Sequence, residues 1–471
     1  MARATLILWG EEECRRLHDA TLELLGDVGV EVRYEPALAL YQAAGCAVDG
    51  RRVRLPARAV EEALRSAPRT WLLRPRGGDT EPLVLRDGEV YYGTGSDVLY
   101  ILDPDTGERR RVRRDDIEGQ AALCEKLRHI DFVMSMGLPE DAPREIDDLV
   151  QVVAMLRGTR KPLMIAPRDG SVLARIQEMA ELCGEKQSVS IYAMPSPPLM
   201  HDADALTKVI GCAELSMPLI YAPAPNMGAS APRSIAAAVL VANAETLSGL
   251  VLHQHVRAGA PFVYGAGADV LDMKSMTAPY VPPDSRLGLQ ACCDMARFYG
   301  LPSFSYAGDA DAKLLDEQWG AEAALTTAYG SLSRSTMLHD VGYLETGILT
   351  SYESIVLGNE LVGYARQFMR EVPVDDYSLA LDEIRAAGPG GNHLATKYTR
   401  RHHREFWSAD LFDHSMHDRW AADGGLTLLE RVRARVAQLR AAPRAFALTA
   451  AQDAALDAIL SDVLHDLSAR I

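Results

Sequence analysis

Residues 306–345 read YAGDADAKLLDEQWGAEAALTTAYGSLSRSTMLHDVGYLE. An apolar run, Leu301 to Tyr306, ends at a glycine and a burst of charge: Asp309, Asp311, Lys313 and Asp316. A helical pattern comes next. A second apolar run, Ser335 to Leu338, then ends in His339, Asp340, Tyr343 and Glu345. Twice the chain passes from a short strand-like run directly into ionisable residues. In a fold of repeating strand and helix, loops at the C-terminal ends of parallel strands line a common cleft, so these two strand ends are where chemistry is expected.

Working outward, the same rhythm runs through the middle of the chain. Strands are expected at Phe132–Met136, Leu163–Ala166, Val189–Met194, Leu219–Ala222, Phe262–Tyr264, Ser303–Tyr306 and Met337–Val341, with an eighth near Ile355–Leu357. The spacers, about 25 to 40 residues each, hold helical patterns such as Ser234–Ala258, as parallel crossovers require. Eight strands over this length predict an α/β (β/α)8 TIM barrel at 114–372. No GxGxxG stands after an early strand, which argues against a doubly wound dinucleotide-binding sheet. Before the barrel, 1–113 reads as a helical cap (Gly10–Val28, Pro36–Ala44, Pro56–Ala67) followed by antiparallel hairpins, signalled by Asp87-Gly88 and Asp105-Thr106-Gly107. After it, 373–471 reads as a helical C-terminal extension, amphipathic over Leu426–Leu439 and Leu448–Leu467. The basic cluster Arg400–Arg404 in that extension reads as a solvated face or an inter-subunit contact.

Composition narrows the function. The formal net charge of −16 makes nucleic acid an unsuitable partner and favours cationic ligands. Seven cysteines without CxxC spacing point to a reducing, cytoplasmic setting. The N-terminal MARATLILWGEEE lacks the apolar core of a leader, and no membrane span is expected. Gly93-Thr94-Gly95-Ser96 lacks the GK[ST] ending of a phosphate loop.

The residues just past the strands compose a mouth of Ser196-Pro197-Pro198, Asn226-Met227-Gly228, Gly265 and Gly267, Asp309 and Asp311, then His339, Asp340, Tyr343 and Glu345. Carboxylates, an amide and tyrosine rings suit a cation, whereas a phosphorylated substrate calls for arginine, lysine or helix N-termini. No HExxH or paired-histidine motif is present, and no bound metal is expected. Each signal has a plainer reading. His339-Asp340 can be a buried pair tying down a strand end, and Asp311 with Lys313 an ion pair capping the next helix. Cys292-Cys293 read as core, and His253 and His255, two apart, face different sides of a helix.

Several long motifs resemble the trimethylamine methyltransferase family, and more closely its branch without pyrrolysine, which includes glycine betaine:corrinoid methyltransferases. They are GDADAKLLDEQWGAE, LHDVGYLETGILTSYESIVLGNE, LHDATLELLGDVGVEV, AAGCAVDGRRVRLP, PSPPLMHD, DMKSM and EFWSADLFDH, together with the long run from Asn226 to Gly265. The resemblance implies a methyltransferase that moves a methyl group from a quaternary amine, such as glycine betaine, to the Co(I) form of a corrinoid (cobalamin) carried by a separate corrinoid protein. It also implies His339, Glu345 and Asp311 as catalytic residues. Tyr306, Lys313, Gln318, Glu322, Tyr343 and Asn226 become substrate-binding residues, with Glu345, Tyr343 and Tyr306 facing the ammonium. A homo-oligomer is expected. Ala310-Asp311-Ala312 stands where the family has Ser-Asp-Ser, Tyr398-Thr399 where it has His-Thr, and Asp413-His414 where it has Asp-Arg. The alternatives are the same fold acting on a different methylated amine, or a non-catalytic amine-binding or regulatory paralogue.

Overall fold

Leu17, Thr21 and Leu25 recur every fourth residue and are buried, which is why Glu11–Asp27 lies as a helix on the body of the protein. Val28, the last residue of the expected helix, is exposed, and Gly29 turns the chain out of the helix with φ of 71°. The computed structural model describes residues 4–78 and 80–468. The first three residues of the stretch read for a leader, and the last three of the C-terminal extension, lie outside them. Helices Glu35–Ala43 and Ala57–Ser66 complete the expected cap, and all three pack against the long helix Ile235–Val256.

Six of the eight expected strands form and pair in parallel, whereas Phe132–Met136 is reduced to isolated bridges at Phe132 and Val133. Leu163–Ile165, Val189–Ala193, Leu219–Tyr221 and Phe262–Tyr264 make one sheet, and Phe304–Tyr306 pairs with Met337–His339. Isolated bridges join Tyr264 to Ser303 and Val133 to Leu163. The remaining partner is not the one expected. Ile355–Leu357 lies inside the helix Tyr352–Phe368, where its apolar run is buried by helical packing. A short run of apolar residues fits either structure, and length decides between them. The place beside Met337–Leu338 is taken instead by Tyr91–Tyr92, in parallel, and Gly93 bridges on to Phe132. Asp87-Gly88 therefore does not close an antiparallel hairpin onto Tyr91. The other turn does, with Tyr100–Leu102 antiparallel to Arg109–Arg111 and Asp103 Oδ1 accepting from the N–H groups of Asp105 and Thr106.

Side chains that point inward from these strands form their own apolar cluster: Phe132, Met164, Ile220, Val263, Phe304 and Met337. Leu73, Leu83 and Leu85, from the antiparallel pair Trp71–Leu73 and Leu83–Leu85, belong to the same cluster and seal it from below. One residue pair further along each strand, the period of two carries polar and aromatic groups to the same side: Tyr306 beyond Phe304, and His339 beyond Met337.

The helix Ile235–Val256 is long and apolar enough by length and composition to cross a membrane, but 72% of its most apolar window is buried inside the protein. Its polar residues are part of the packing. Asn243 donates to Thr21 Oγ1 (2.8 Å) and to Tyr299 Oη (2.9 Å), and accepts from the Tyr264 hydroxyl (2.8 Å). Tyr299 in turn meets His18, which reaches Glu61. At the C-terminal end, helices Leu428–Ala441 and Ala450–Ser468 bury Val432, Val436, Leu456 and Ile459, and Arg157 pairs with Asp453 and Asp457.

The pairing of Tyr91–Gly93 with its neighbours leaves no room at Gly93, where a Cβ would lie 2.2 Å from the Phe132 ring. Gly93→Ala is expected to destabilise the fold by about 1–3 kcal/mol through overpacking, read as a lowered urea midpoint with an unchanged m-value. A neutral result would mean that the two segments do not meet in this way.

Candidate active site

His339 ends its strand buried, with its ring stacked on Phe304 (centroids 4.1 Å apart, planes 12°) and edge-on to Tyr306 (4.9 Å, 89°). Tyr192 lies 6.3 Å from it and Tyr280 lies 5.6 Å from Tyr306, ring to ring. Tyr343 is buried with its hydroxyl donating to the Ser96 carbonyl, and its ring sits against Gly95, where a Cβ would come within 2.0 Å. Burial pushes the phenols of Tyr192, Tyr280, Tyr306 and Tyr343 far above their ordinary range, and the carboxylate of Asp340 adds to the rise in all four. Four neutral hydroxylated rings therefore stand within electrostatic reach of one another at the C-terminal ends of the strands.

Around them lie carboxylates taken out of water. Asp309 is fully buried and pairs with Arg286 from the helix Pro283–Tyr299. Asp340 is next to His339 in the chain, with its Oδ1 2.5 Å from His339 Nδ1. The two atoms are in close contact without hydrogen-bond alignment, for both, and His339 Nε2 as well, lack a hydrogen-bond partner. Burial raises the Asp340 carboxyl, against the pull of His339. Asp269 is buried beside Asn226, its partner in the short parallel pair Asn226–Met227 with Asp269–Val270. Burial pushes Asp269 up to about 7, offset by Arg286 and reinforced by Asp309 and Asp340. Asp97 is raised to about 6, again by burial. One oxygen on each of Asp97, Asn226, Asp269, Asp309 and Asp340 is buried without a hydrogen-bond partner among the described groups. Buried polar atoms are normally satisfied, so this many open acceptors in one region mark a site built for something else to fill.

The backbone agrees. Asp97, Met136, Leu199, Asp340 and Glu345 all have positive φ, from 46° to 76°, and each comes after one of the parallel strands. Left-handed non-glycine residues cost roughly 1–3 kcal/mol each and gather at functional sites.

The residues expected from sequence divide into two groups. His339, Tyr306, Tyr343 and Asn226 come together as described. Asp311 is half-buried, and its carboxylate accepts from the N–H groups of Tyr280 and Val281, fixing the loop that carries Tyr280. Glu322 accepts from the N–H groups of Asp311 and Ala312, and Gln318 donates to Glu322. Lys313 and Gln318 are exposed. Lys313 bonds the carbonyl of Asp311 and forms no helix cap, for Asp316 caps that helix through the N–H groups of Gln318 and Trp319. Glu345 is paired with Arg109 (3.1 Å), whose guanidinium lies 3.4 Å over the Tyr100 ring. Its charge is thus shared with the hairpin that borders the mouth. Cys292 and Cys293 are core. His253 is buried against Phe262 while His255 is exposed, and among the described residues no group of three His, Cys, Asp or Glu side chains is arranged to hold a metal ion.

Tyr192, Tyr280, Asp269 and Arg286 were not expected. Tyr192 lies within a strand and Tyr280 in a proline-rich loop far from any strand end. Asp269 stands only two residues beyond Gly267, within reach of the strand-end rule.

Because Asp269 is raised when folded, the native state holds a proton that the unfolded chain releases from near pH 4 upward. The group's contribution to stability therefore falls as pH rises from about 4 to about 7, by up to about 4 kcal/mol. Asp269→Asn removes that loss. The melting-temperature difference between variant and parent is expected to be small at pH 4 and to grow in the variant's favour to pH 8. A difference independent of pH would show that Asp269 ionises freely.

The trimethylamine methyltransferase (MTTB) family model matches residues 2–462. A glycine betaine methyltransferase of Desulfitobacterium hafniense (strain Y51) is 31% identical over 463 residues, covering 96% of each chain. A trimethylamine methyltransferase MttB of Desulfitobacterium hafniense (strain DSM 10664 / DCB-2) is 28% identical, covering 90% of this chain and 87% of that one. Among solved structures, the hydroxylamine complex of MtmB superposes with a TM-score of 0.50 at 12% identity, covering 93% of this chain and 95% of the other, a likeness of fold alone. With a family match across nearly its whole length, the chain belongs to the trimethylamine methyltransferase family.

Proposed function

We propose that this protein is a methyltransferase that takes a methyl group from a quaternary amine of the glycine betaine type, with a Co(I) corrinoid on a separate protein as acceptor. The observation that carries the reading is the group of four tyrosine rings set beside buried, unsatisfied carboxylates. A quaternary ammonium offers no N–H to donate, so it is held by charge and by ring faces rather than by hydrogen bonds. The relative at 31% identity that is named a glycine betaine methyltransferase supports the same donor class. The circuit of parallel pairs from Tyr91 through Met337 and back supports a (β/α)8 TIM barrel as the frame. We keep 1–113, 114–372 and 373–471 as its blocks, with Tyr91–Gly93 lent by the first to the second.

In this reading the protein works by orientation and electrostatics. Asp269 and Asp340 supply negative charge to the ammonium, and Tyr192, Tyr280, Tyr306 and Tyr343 wall it from water. His339 Nε2 and the Asn226 amide face the substrate's polar end, where His339 as N–H donor binds a carboxylate. Asp311 and Glu322, with Gln318 and Lys313 outside them, hold the Tyr280 loop in register. Glu345 with Arg109 closes the mouth. The corrinoid supplies the nucleophile when its carrier docks. The leaving group is a neutral tertiary amine that takes the C–N bonding pair with it, so no proton has to be delivered. Buried, unpaired cysteines support a cytoplasmic, reducing location.

The test is titration with glycine betaine together with a spectral assay using purified Co(I) corrinoid protein. Consumption of Co(I) with release of the demethylated amine is expected. If no member of a quaternary-amine panel consumes Co(I), the reading fails. Tyr306→Ala is expected to weaken glycine betaine binding by about 2 kcal/mol, on the order of 30-fold. His339→Ala is expected to slow transfer by about 100-fold through misplacement of the methyl group, and intact transfer in that variant would remove His339 from the site.

A further inference from the structure

Beyond Gly93 the chain is fastened at each step. The Thr94 hydroxyl accepts from the Met134 N–H (2.9 Å) and donates to the Met134 carbonyl (3.1 Å). The Gly95 carbonyl accepts from the Met136 N–H (3.1 Å), and the Ser96 carbonyl from the Tyr343 hydroxyl. Asp97 is thus delivered to a fixed place one residue from that hydroxyl, in the left-handed region with φ of 60°. Its Oδ2 accepts from the Ser96 hydroxyl (3.2 Å), while its Oδ1 is buried without a partner among the described groups. Asp97 acts electrostatically on Tyr343 and on Tyr192. Asp269 and Asp340 act on Tyr192 as well, so all three carboxylates border the same ring-walled site.

The charge of Asp97 is answered from within the protein. Lys208, on the helix Ala203–Leu215, is buried with its Nζ donating to the Pro167 carbonyl (2.9 Å), and Asp97 is the foremost charge that favours its ammonium. Burial pushes Asp97 up to about 6, against the pull of Ser96 and Lys208, which leaves it ionised at neutral pH. Asp269 differs, for burial pushes it up to about 7 and the nearby Arg286 is committed to Asp309. Asp269 calls for positive charge, whereas Asp97 is an anion already balanced, with one oxygen open. A neutral hydrogen-bond donor satisfies that oxygen. A quaternary nitrogen has no hydrogen to give, and a substrate carboxylate would be repelled. The donor group therefore sits on carbon elsewhere in the amine.

We propose that Asp97 is a specificity-determining residue whose Oδ1 accepts a hydrogen bond from a hydroxyl on the substrate, so that the methyl donor is a hydroxylated quaternary amine. The proposal rests on the quaternary-amine reading and narrows it. A substrate without the hydroxyl displaces water from Asp97 and leaves a buried charged acceptor unpaired, which is how a site built for a hydroxyl rejects the analogue that lacks it.

The experiment is calorimetric titration of the full chain with pairs of amines matched except for one hydroxyl: carnitine against γ-butyrobetaine, and choline against propyltrimethylammonium. Glycine betaine serves as the reference. The hydroxylated member of at least one pair is expected to bind about 10–100-fold more tightly than its partner. Asp97→Asn keeps the shape and tolerates the left-handed backbone, and is expected to narrow that gap. Asp97→Ala is expected to abolish it, with circular dichroism checking the fold of both. Equal binding within both pairs by the parent chain overturns the proposal, and so does a gap that persists undiminished in the two variants. Binding of glycine betaine without any preference for a hydroxyl overturns this proposal alone. If none of the five amines binds, the quaternary-amine reading fails and this inference falls with it.

Discussion

Placing several carboxylates where water cannot reach them is the constraint on which the site depends. Asp269, Asp309 and Asp340 are all buried within mutual electrostatic reach, and Arg286 is the guanidinium set among them. An isolated buried charge is costly enough that a protein normally pairs or neutralises it. Arg286 is committed to Asp309. Among the described residues Asp340 has only His339 beside it and Asp269 has no paired cation, and the raised carboxyls of both express how hard burial makes it for them to ionise without a cation from outside. Affinity for a cation and reluctance to ionise are here the same property seen from two sides.

Holding that imbalance takes a stiff frame. The inward apolar cluster from Phe132 to Met337 sets the strand ends, and the left-handed residues beyond them aim the loops. The close approach of Gly95 to the Tyr343 ring shows how tightly the first of those loops is pressed against the last. The tyrosines then present hydroxyl-bearing rings at low entropic cost, since each turns about only two side-chain bonds and most are already packed.

His339 was readable from sequence as a residue just past a strand-like run and Tyr306 through the family resemblance, and in the fold each stands two residues beyond a residue of the apolar interior. Tyr192 stands two residues beyond Ser190, a buried serine inside its strand, so nothing in its neighbours sets it apart. Tyr280 reaches the site through two backbone hydrogen bonds to Asp311, a long-range contact that local pattern does not encode. Ile355–Leu357 looked like a strand because a short apolar run is ambiguous between a buried helix and a buried strand. Tyr91–Tyr92 was taken into a hairpin because Asp87-Gly88 is a strong turn signal, and its partner, Met337–Leu338, lies some 245 residues away in the chain. Family motifs carried the chemical reading further than spacing alone, yet Glu345 and Lys313, both within those motifs, are engaged at the rim.

Asn243 has one more consequence. Its amide links Thr21 of the first helix to Tyr264 of a central strand and to Tyr299, which leads on to His18 and Glu61. Every member of that network except Glu61 is buried, and losing the first 67 residues would take away Thr21 and His18 and uncover Asn243 and Tyr299. The N-terminal helices are therefore not a removable cover. They share buried hydrogen bonds and packing with the long helix and the strands, so a truncation that respects the sequence blocks would still cut through that network.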